Sequence, residues 1–111
     1  MINVNELQSE INDLEYKKQQ YRSLYGTLNG IVNELRNSLK NISTATDSIN
    51  GGMSGAALTN VLTNNNAAYK SIEAKISKIS GIYQPEINEK INDLEWTIKE
   101  KKNLLAEQRD I

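Results

Sequence analysis

The 111-residue chain contains no cysteine, no histidine and no phenylalanine, and it has one proline and one tryptophan. Without cysteine, neither a disulfide framework nor a thiolate metal site can form. Without histidine, the most common general base and metal ligand is missing. A nucleophile needs a base placed beside it, and the carboxylates here are scattered along the chain. We therefore predict that the protein is not an enzyme and has no catalytic residue, metal site or cofactor.

The composition also argues against several classes of partner. A formal net charge of −1 does not suit nucleic acid, which requires a basic face. No apolar run approaches the ~20 residues that cross a bilayer, so no membrane span is expected. The opening residues MINVNELQSE lack the basic and apolar regions of a signal peptide. We expect a cytoplasmic protein, or one exported with its partner by a route that needs no cleaved signal.

The first half of the chain carries apolar residues at heptad spacing. Two interleaved series, from Leu7 to Ile49 and from Val4 to Thr46, are apolar or aromatic at twelve of fourteen positions. This pattern is typical of a helix packed lengthwise against another helix. Asn3 and Glu6 have the spacing of a capping box. The series predicts a first helix over about 4–49, followed by a glycine-rich turn over about 50–54.

The second half predicts a second helix over about 55–109. Its apolar series runs from Leu58 to Tyr83 and then continues from Ile87 to Leu105 with a phase slip of one residue. The slip coincides with Gly81–Pro85, where we expect a kink or short break, because proline cannot donate to the carbonyl four residues back. The predicted fold is all-α: one domain, residues 1–111, forming a long antiparallel, coiled-coil-like helical hairpin.

The five letters INDLE occur twice, within EINDLE at 10–15 and within KINDLE at 90–95. A fold-back at Gly52–Met53 would place residue 12 opposite residue 93, so that the two segments face each other; chance repetition in a chain rich in these residues is the alternative. The predicted hairpin seam contains Leu7, Ile11, Leu14, Leu35, Leu39, Ile42, Ile72, Ile76, Ile79, Ile91, Leu94 and Ile98.

The first helix has more apolar surface than one seam requires. Leu24 and Ile31 flank the seam, and Gly26 and Gly30 form a GxxxG pattern, although each glycine inside a helix costs ~1 kcal/mol relative to alanine. Close approach of another helix would explain the glycines; local flexibility or drift is the alternative. Trp96 is either an exposed interface anchor or half-buried against the first helix. The predicted partner interface contains Leu24, Tyr25, Gly26, Leu28, Gly30, Ile31, Val32 and Trp96.

A two-helix hairpin has a seam but no interior, and small chains bury too little surface to be robust alone. The partner could be another helical protein or a second copy that completes a four-helix bundle.

The long hairpin pattern, the turn Gly51-Gly52-Met53-Ser54-Gly55, and the closing arm rich in Ile, Glu and Lys resemble the WXG-type proteins of type VII secretion. In particular, they resemble the small helical partners of LXG-domain toxins in low-GC Gram-positive bacteria. The resemblance implies that the chain binds the helical N-terminal domain of such a toxin and supports its export, acting as a targeting factor or chaperone. Two functions from other classes stay open: a self-associating structural coiled coil, and a prefoldin-like holdase with strand hairpins between its helices.

Two features depart from that family. Its Trp-x-Gly signature belongs in the turn, whereas the only tryptophan here is Trp96. The export motif Tyr-x-x-x-Asp/Glu is spelled by Tyr69 and Glu73, but it lies early in the second helix, where Tyr69 also fits the seam.

Overall fold

The computed structural model describes residues 3–109, and these are helical almost throughout. Helix α1 spans Val4–Gly52, α2 spans Gly55–Lys78, a π-helical segment spans Ile79–Tyr83, and α3 spans Gln84–Arg109. No strand occurs among the described residues. The predicted all-α hairpin fold is confirmed.

Asn3 caps the start of α1. Its side-chain Oδ1 accepts hydrogen bonds from the backbone N–H groups of Asn5 (2.9 Å) and Glu6 (3.2 Å). These bonds satisfy two of the donors that the first turn of a helix leaves without an intrahelical partner. The asparagine predicted to open the helix therefore does so.

The turn is shorter than predicted, because α1 continues for three residues beyond position 49 and ends at Gly52. The Met53 N–H donates to the Ile49 carbonyl at 3.0 Å. Ser54 is extended, with φ −148° and ψ 165°, and its side chain makes no capping hydrogen bond. Gly55 has a φ of +76°, a left-handed conformation that glycine adopts without steric cost.

The chain forms two compact units. Unit 1 contains Met1–Thr27 and Gln84–Ile111, and unit 2 contains Leu28–Tyr83. Unit 1 pairs the first part of α1 with α3, whereas unit 2 pairs the rest of α1 with α2 and the π-helical segment. Every residue of the predicted seam is buried or half-buried.

Unit 1 has the better-buried core. Leu7, Ile11, Ile98 and Leu105 form one buried cluster, against which two partly buried side chains pack. Ile11 is only 2% exposed. Burying an aliphatic side chain of this size contributes about 1.5–3 kcal/mol, so this cluster accounts for much of the stability of unit 1.

Ion pairs between α1 and α3 show how the two helices of unit 1 are aligned. Lys101 Nζ lies 2.8 Å from Glu10 Oε2, and Arg22 Nη2 lies 2.9 Å from Glu95 Oε1. The two INDLE segments therefore do not face each other, and that prediction was wrong. The first segment lies near 98–102, whereas the second lies near 17–22.

The pairing is displaced because the chain reverses later than a fold-back at Gly52–Met53 assumes: α1 continues to Gly52, and α2 begins at Gly55. Glu10 lies beside Lys101, where the prediction placed residue 95. At ~1.5 Å per residue, this displacement of six residues corresponds to ~9 Å. A displacement of six residues is also present nearer the turn, where Asn65 donates to Thr46 and the prediction placed residue 59 opposite Thr46.

Unit 2 has a thinner core. Val32, which is 4% exposed, is its one fully buried apolar side chain among the described residues. The predicted seam residues of this unit are half-buried. A polar pair also crosses the seam, where Asn65 Nδ2 donates to Thr46 Oγ1 at 3.0 Å. This unit thus buries less apolar surface than unit 1.

The irregularity expected at Gly81–Pro85 is a π-helical turn over Ile79–Tyr83, and the backbone remains helical through it. A π turn holds one residue more than an α turn, so it absorbs the one-residue phase slip in the apolar series. After Ile79 the next inward position is Gln84, which is 6% exposed, whereas Tyr83 is 44% exposed. The extra residue thus turns Tyr83 outward and brings Gln84 inward.

Candidate partner-binding surfaces

Several large apolar side chains are exposed on both units. Isolated exposed apolar residues are normal on protein surfaces, so only those that share a face with others, or that line a groove, indicate a binding surface. The exposed large apolar side chains are Tyr16, Leu24, Ile31, Met53, Ile82, Tyr83, Trp96 and Leu104.

The residues of the predicted interface on α1 belong partly to unit 1 and partly to unit 2. Leu24 in unit 1 is 46% exposed and Ile31 in unit 2 is 38% exposed. Tyr25 and Leu28 are half-buried. Val32 is buried in the seam of unit 2, so its assignment to the interface was wrong. It occupies a heptad seam position, and that position determines its burial.

The two glycines of the GxxxG pattern are open to solvent. A Cβ added to Gly26 or Gly30 would meet no heavy atom within 4 Å. The hairpin itself therefore does not require glycine at these positions. Because successive residues are about 100° apart around a helix, Gly26 points about 160° away from Leu24, and Gly30 about 100° away from Ile31. The glycines and the apolar side chains thus lie on different sides of α1.

Trp96 on α3 is 63% exposed, and it has charged neighbours of both signs on the helix, including Lys99 three residues after it. Asp93 and Glu100 lie three residues before it and four after it, on the same side of the helix. Further along this side, Glu100, Asn103 and Glu107 surround Leu104 in a shallow groove. Four acidic residues recur at heptad spacing on α3: Glu86, Asp93, Glu100 and Glu107. The heptad spacing of these acids was a sequence signal for this surface that our sequence analysis missed.

A second groove lies within unit 2, and we call it the lysine groove. It encloses about 310 Å³ and is lined by Ile31, Leu35, Lys75, Lys78, Ile79 and Tyr83. Four of these six side chains are apolar or aromatic, and both charged ones are basic. Leu35, Ile79 and Tyr83 all belong to the apolar series predicted from the sequence, but the π-helical turn leaves Tyr83 at the surface.

Tyr69, from the weak export motif, lies in a more polar groove of unit 2. This groove encloses about 240 Å³ and also contains Ile42, Leu62 and the Asn65–Thr46 hydrogen bond. Tyr69 is half-buried, whereas Glu73 is exposed on α2. The position of Tyr69 is that of a packing residue, and the export role of the Tyr69/Glu73 motif stays a prediction.

The ion pairs of unit 1 are exposed and lie outside these grooves. Lys102 Nζ lies 2.7 Å from Glu15 Oε1. The hydrogen bond from Lys102, and then its positive charge, lower the pKa of the Glu15 carboxyl. Exposed pairs of this kind contribute little to stability, so they show the register of the two arms and do not set it. None of these three pairs was predicted from the sequence, because each joins residues far apart in the chain.

No family model matches the sequence, and no curated protein or solved structure is similar to the chain at a significant level. Among residues 3–109, no helix combines the length and the apolar character needed to cross a membrane.

Proposed function

We propose that this chain is a non-enzymatic helical partner protein that binds the helical N-terminal domain of a type VII-secreted LXG toxin and supports its export. The observation that carries the proposal is the exposed apolar surface of a helical hairpin. Leu24, Ile31 and Trp96 are each more than a third exposed, although side chains of these types favour the inside of a helical assembly.

Covering such residues with another helix is energetically favourable. Full burial of one aliphatic or aromatic side chain contributes about 1.5–3 kcal/mol, and because these three are only 38–63% exposed, covering them yields about half of that for each. Two proteins lose rotational and translational freedom worth about 4–15 kcal/mol on association, so these anchors support binding together with further contacts along the helices. Exposed tryptophan is also enriched among the residues that dominate binding energy. The surface therefore suits reversible binding of a helical protein.

Of the two alternatives, the holdase fits the described residues less well, and the self-associating coiled coil must be separated by experiment. A prefoldin-like holdase requires strand hairpins, and residues 3–109 contain no strand. A self-associating coiled coil would cover the same apolar side chains, so the oligomeric state of the purified chain separates this alternative from the proposal. The proposal expects a monomer or a weak dimer that forms a stable heterocomplex.

The test is co-expression of the chain with the N-terminal domain of an LXG toxin encoded beside it, followed by co-purification and light scattering. We expect a heterocomplex with the wild-type chain. The double substitution Leu24→Glu and Ile31→Glu should abolish the heterocomplex without loss of helicity. It replaces one exposed apolar side chain in each unit with a charged one. Absence of a complex with the wild-type chain would refute the proposed function.

The matched control adds the same two charges elsewhere on α1. Asn37 and Thr44 are exposed and, like Leu24 and Ile31, lie one heptad apart. Asn37→Glu with Thr44→Glu should bind as the wild-type chain does. Equal loss in both double variants would indicate a general effect of charge on α1, and not an interface at Leu24 and Ile31.

A further inference from the structure

The lysine groove of unit 2 shows which chemistry a bound helix would need. We propose that it is the docking site for an acidic amphipathic helix of the partner protein; this inference rests on the proposed function and specifies the partner's chemistry. The floor of the groove is solvated in the free chain: Tyr83 is 44% exposed and Ile31 is 38% exposed. Leu35 and Ile79 also line the groove and are half-buried, so an apolar side chain from a partner has four apolar or aromatic side chains to contact.

The π-helical turn creates this floor. In an uninterrupted heptad helix the residue four positions after Ile79 would face the seam, and that residue is Tyr83. The π turn over Ile79–Tyr83 moves the inward position to Gln84. It leaves Tyr83 in the groove beside Ile79. Turns of this type are frequent at functional sites, and here the turn supplies an exposed aromatic side chain.

Charge determines which helix the groove accepts. The two charged residues that line it, Lys75 and Lys78, lie three residues apart on one side of α2. Within residues 3–109 neither forms an ion pair. Unit 2 as a whole has five basic and three acidic residues. A helix with carboxylates beside its apolar stripe would pair with both lysines, whereas a basic helix would be repelled.

The occupant is a helix because the groove is bounded by α1 on one side and by α2 with the π-helical segment on the other. A helix that presents apolar residues at i, i+3 or i+4 and i+7 fits such a groove and packs lengthwise against both walls. The volume of about 310 Å³ suits a few aliphatic side chains and not a large folded loop.

The first experiment measures affinity for the LXG toxin N-terminal domain. Lys75→Glu with Lys78→Glu should weaken binding at least tenfold, and added salt should weaken wild-type binding more than binding by this variant. The matched control, Lys40→Glu with Lys70→Glu, changes the charge of unit 2 equally at exposed lysines that do not line the groove. It should bind within threefold of the wild-type chain. Unchanged binding by the groove variant, or equal loss in the control, overturns the inference while the proposed function stands.

The second experiment uses the full chain and a synthetic 21-residue helical peptide, with leucine at heptad spacing and glutamate on both flanks. A second peptide replaces each glutamate with lysine. The glutamate peptide should bind at least tenfold more tightly to the wild-type chain, and this preference should disappear or reverse in the Lys75→Glu/Lys78→Glu variant.

These results separate the two proposals. If no LXG domain binds but the glutamate peptide is preferred, the proposed function fails and the acidic-helix chemistry of the groove stands. Equal binding of both peptides overturns the inference that the lysine groove prefers an acidic helix. The inference about the groove is also overturned if the wild-type chain forms a homodimer and the Lys75→Glu/Lys78→Glu variant does not, because the occupant would then be a second copy. Circular dichroism of each variant verifies that these exposed substitutions leave the helices intact.

Discussion

Replacing both glycines of the GxxxG pattern with alanine should stabilise the isolated chain. Gly26 and Gly30 lie inside α1, neither has a positive φ, and an added Cβ would meet no atom within 4 Å. Glycine in a helix interior costs about 1 kcal/mol relative to alanine. With no clash to oppose it, the double substitution should raise the free energy of unfolding by about 2 kcal/mol. For a chain of this length that is a rise of about 8 °C in the melting temperature.

The assay is thermal and urea unfolding followed by circular dichroism at 222 nm. Gly55→Ala is the control of opposite sign, because Gly55 has a φ of +76°, which alanine adopts at a cost of about 1 kcal/mol or more. It should lower the melting temperature while the Gly26/Gly30 double variant raises it. An unchanged or lowered melting temperature for the double variant would show that glycine is needed within the hairpin, which contradicts the open geometry of these sites.

The same double variant tests why glycine is present. If a partner helix approaches α1 closely at these positions, two methyl groups would separate the backbones and weaken the complex, although the free chain becomes more stable. Opposite effects on stability and on binding therefore place Gly26 and Gly30 in an interface. Unchanged binding would remove both glycines from the predicted interface and leave the apolar side chains as its contacts.

Three further predictions follow from burial and charge. Ile11→Ala should cost about 3 kcal/mol in urea unfolding, because Ile11 is 2% exposed, whereas Leu24→Ala should cost under about 0.5 kcal/mol; equal costs would contradict the assigned core. Lys102 lowers the pKa of Glu15 below its ordinary 4.5, so this pair stabilises above that pH and its contribution is lost as pH falls through the lowered pKa. Glu15→Gln should thus lower the melting temperature at pH 7 but not at pH 2, and a constant difference would exclude the ion pair as the cause. In native-state hydrogen exchange, amides of α2 should exchange faster than those of α3, since unit 2 has the thinner core; the reverse order would refute this comparison.

The apolar periodicity was sufficient to predict the helices and the residues that face the seam. Heptad spacing is a local property, because which side chains share a helix face depends only on the helical repeat. The glycine cluster after position 50 and the cap at Asn3 predicted where helices end and begin to within three residues, since such signals act on neighbouring backbone groups. The exposed side chains Leu24 and Ile31 were found in the same way, because they flank the seam.

Two features depended on tertiary structure. The register depends on where the chain reverses and how the two arms pack, and it separated the two INDLE segments and paired Arg22 with Glu95. The periodicity indicated a slip near Pro85, but not which residue would leave the seam. That choice, which exposed Tyr83 and buried Gln84, depends on packing between the two arms. Which faces of the helices are apolar could thus be predicted from the residues alone, because it follows from the helical repeat. Tertiary packing decided which apolar side chains meet each other and which remain exposed, because those contacts join residues far apart in the chain.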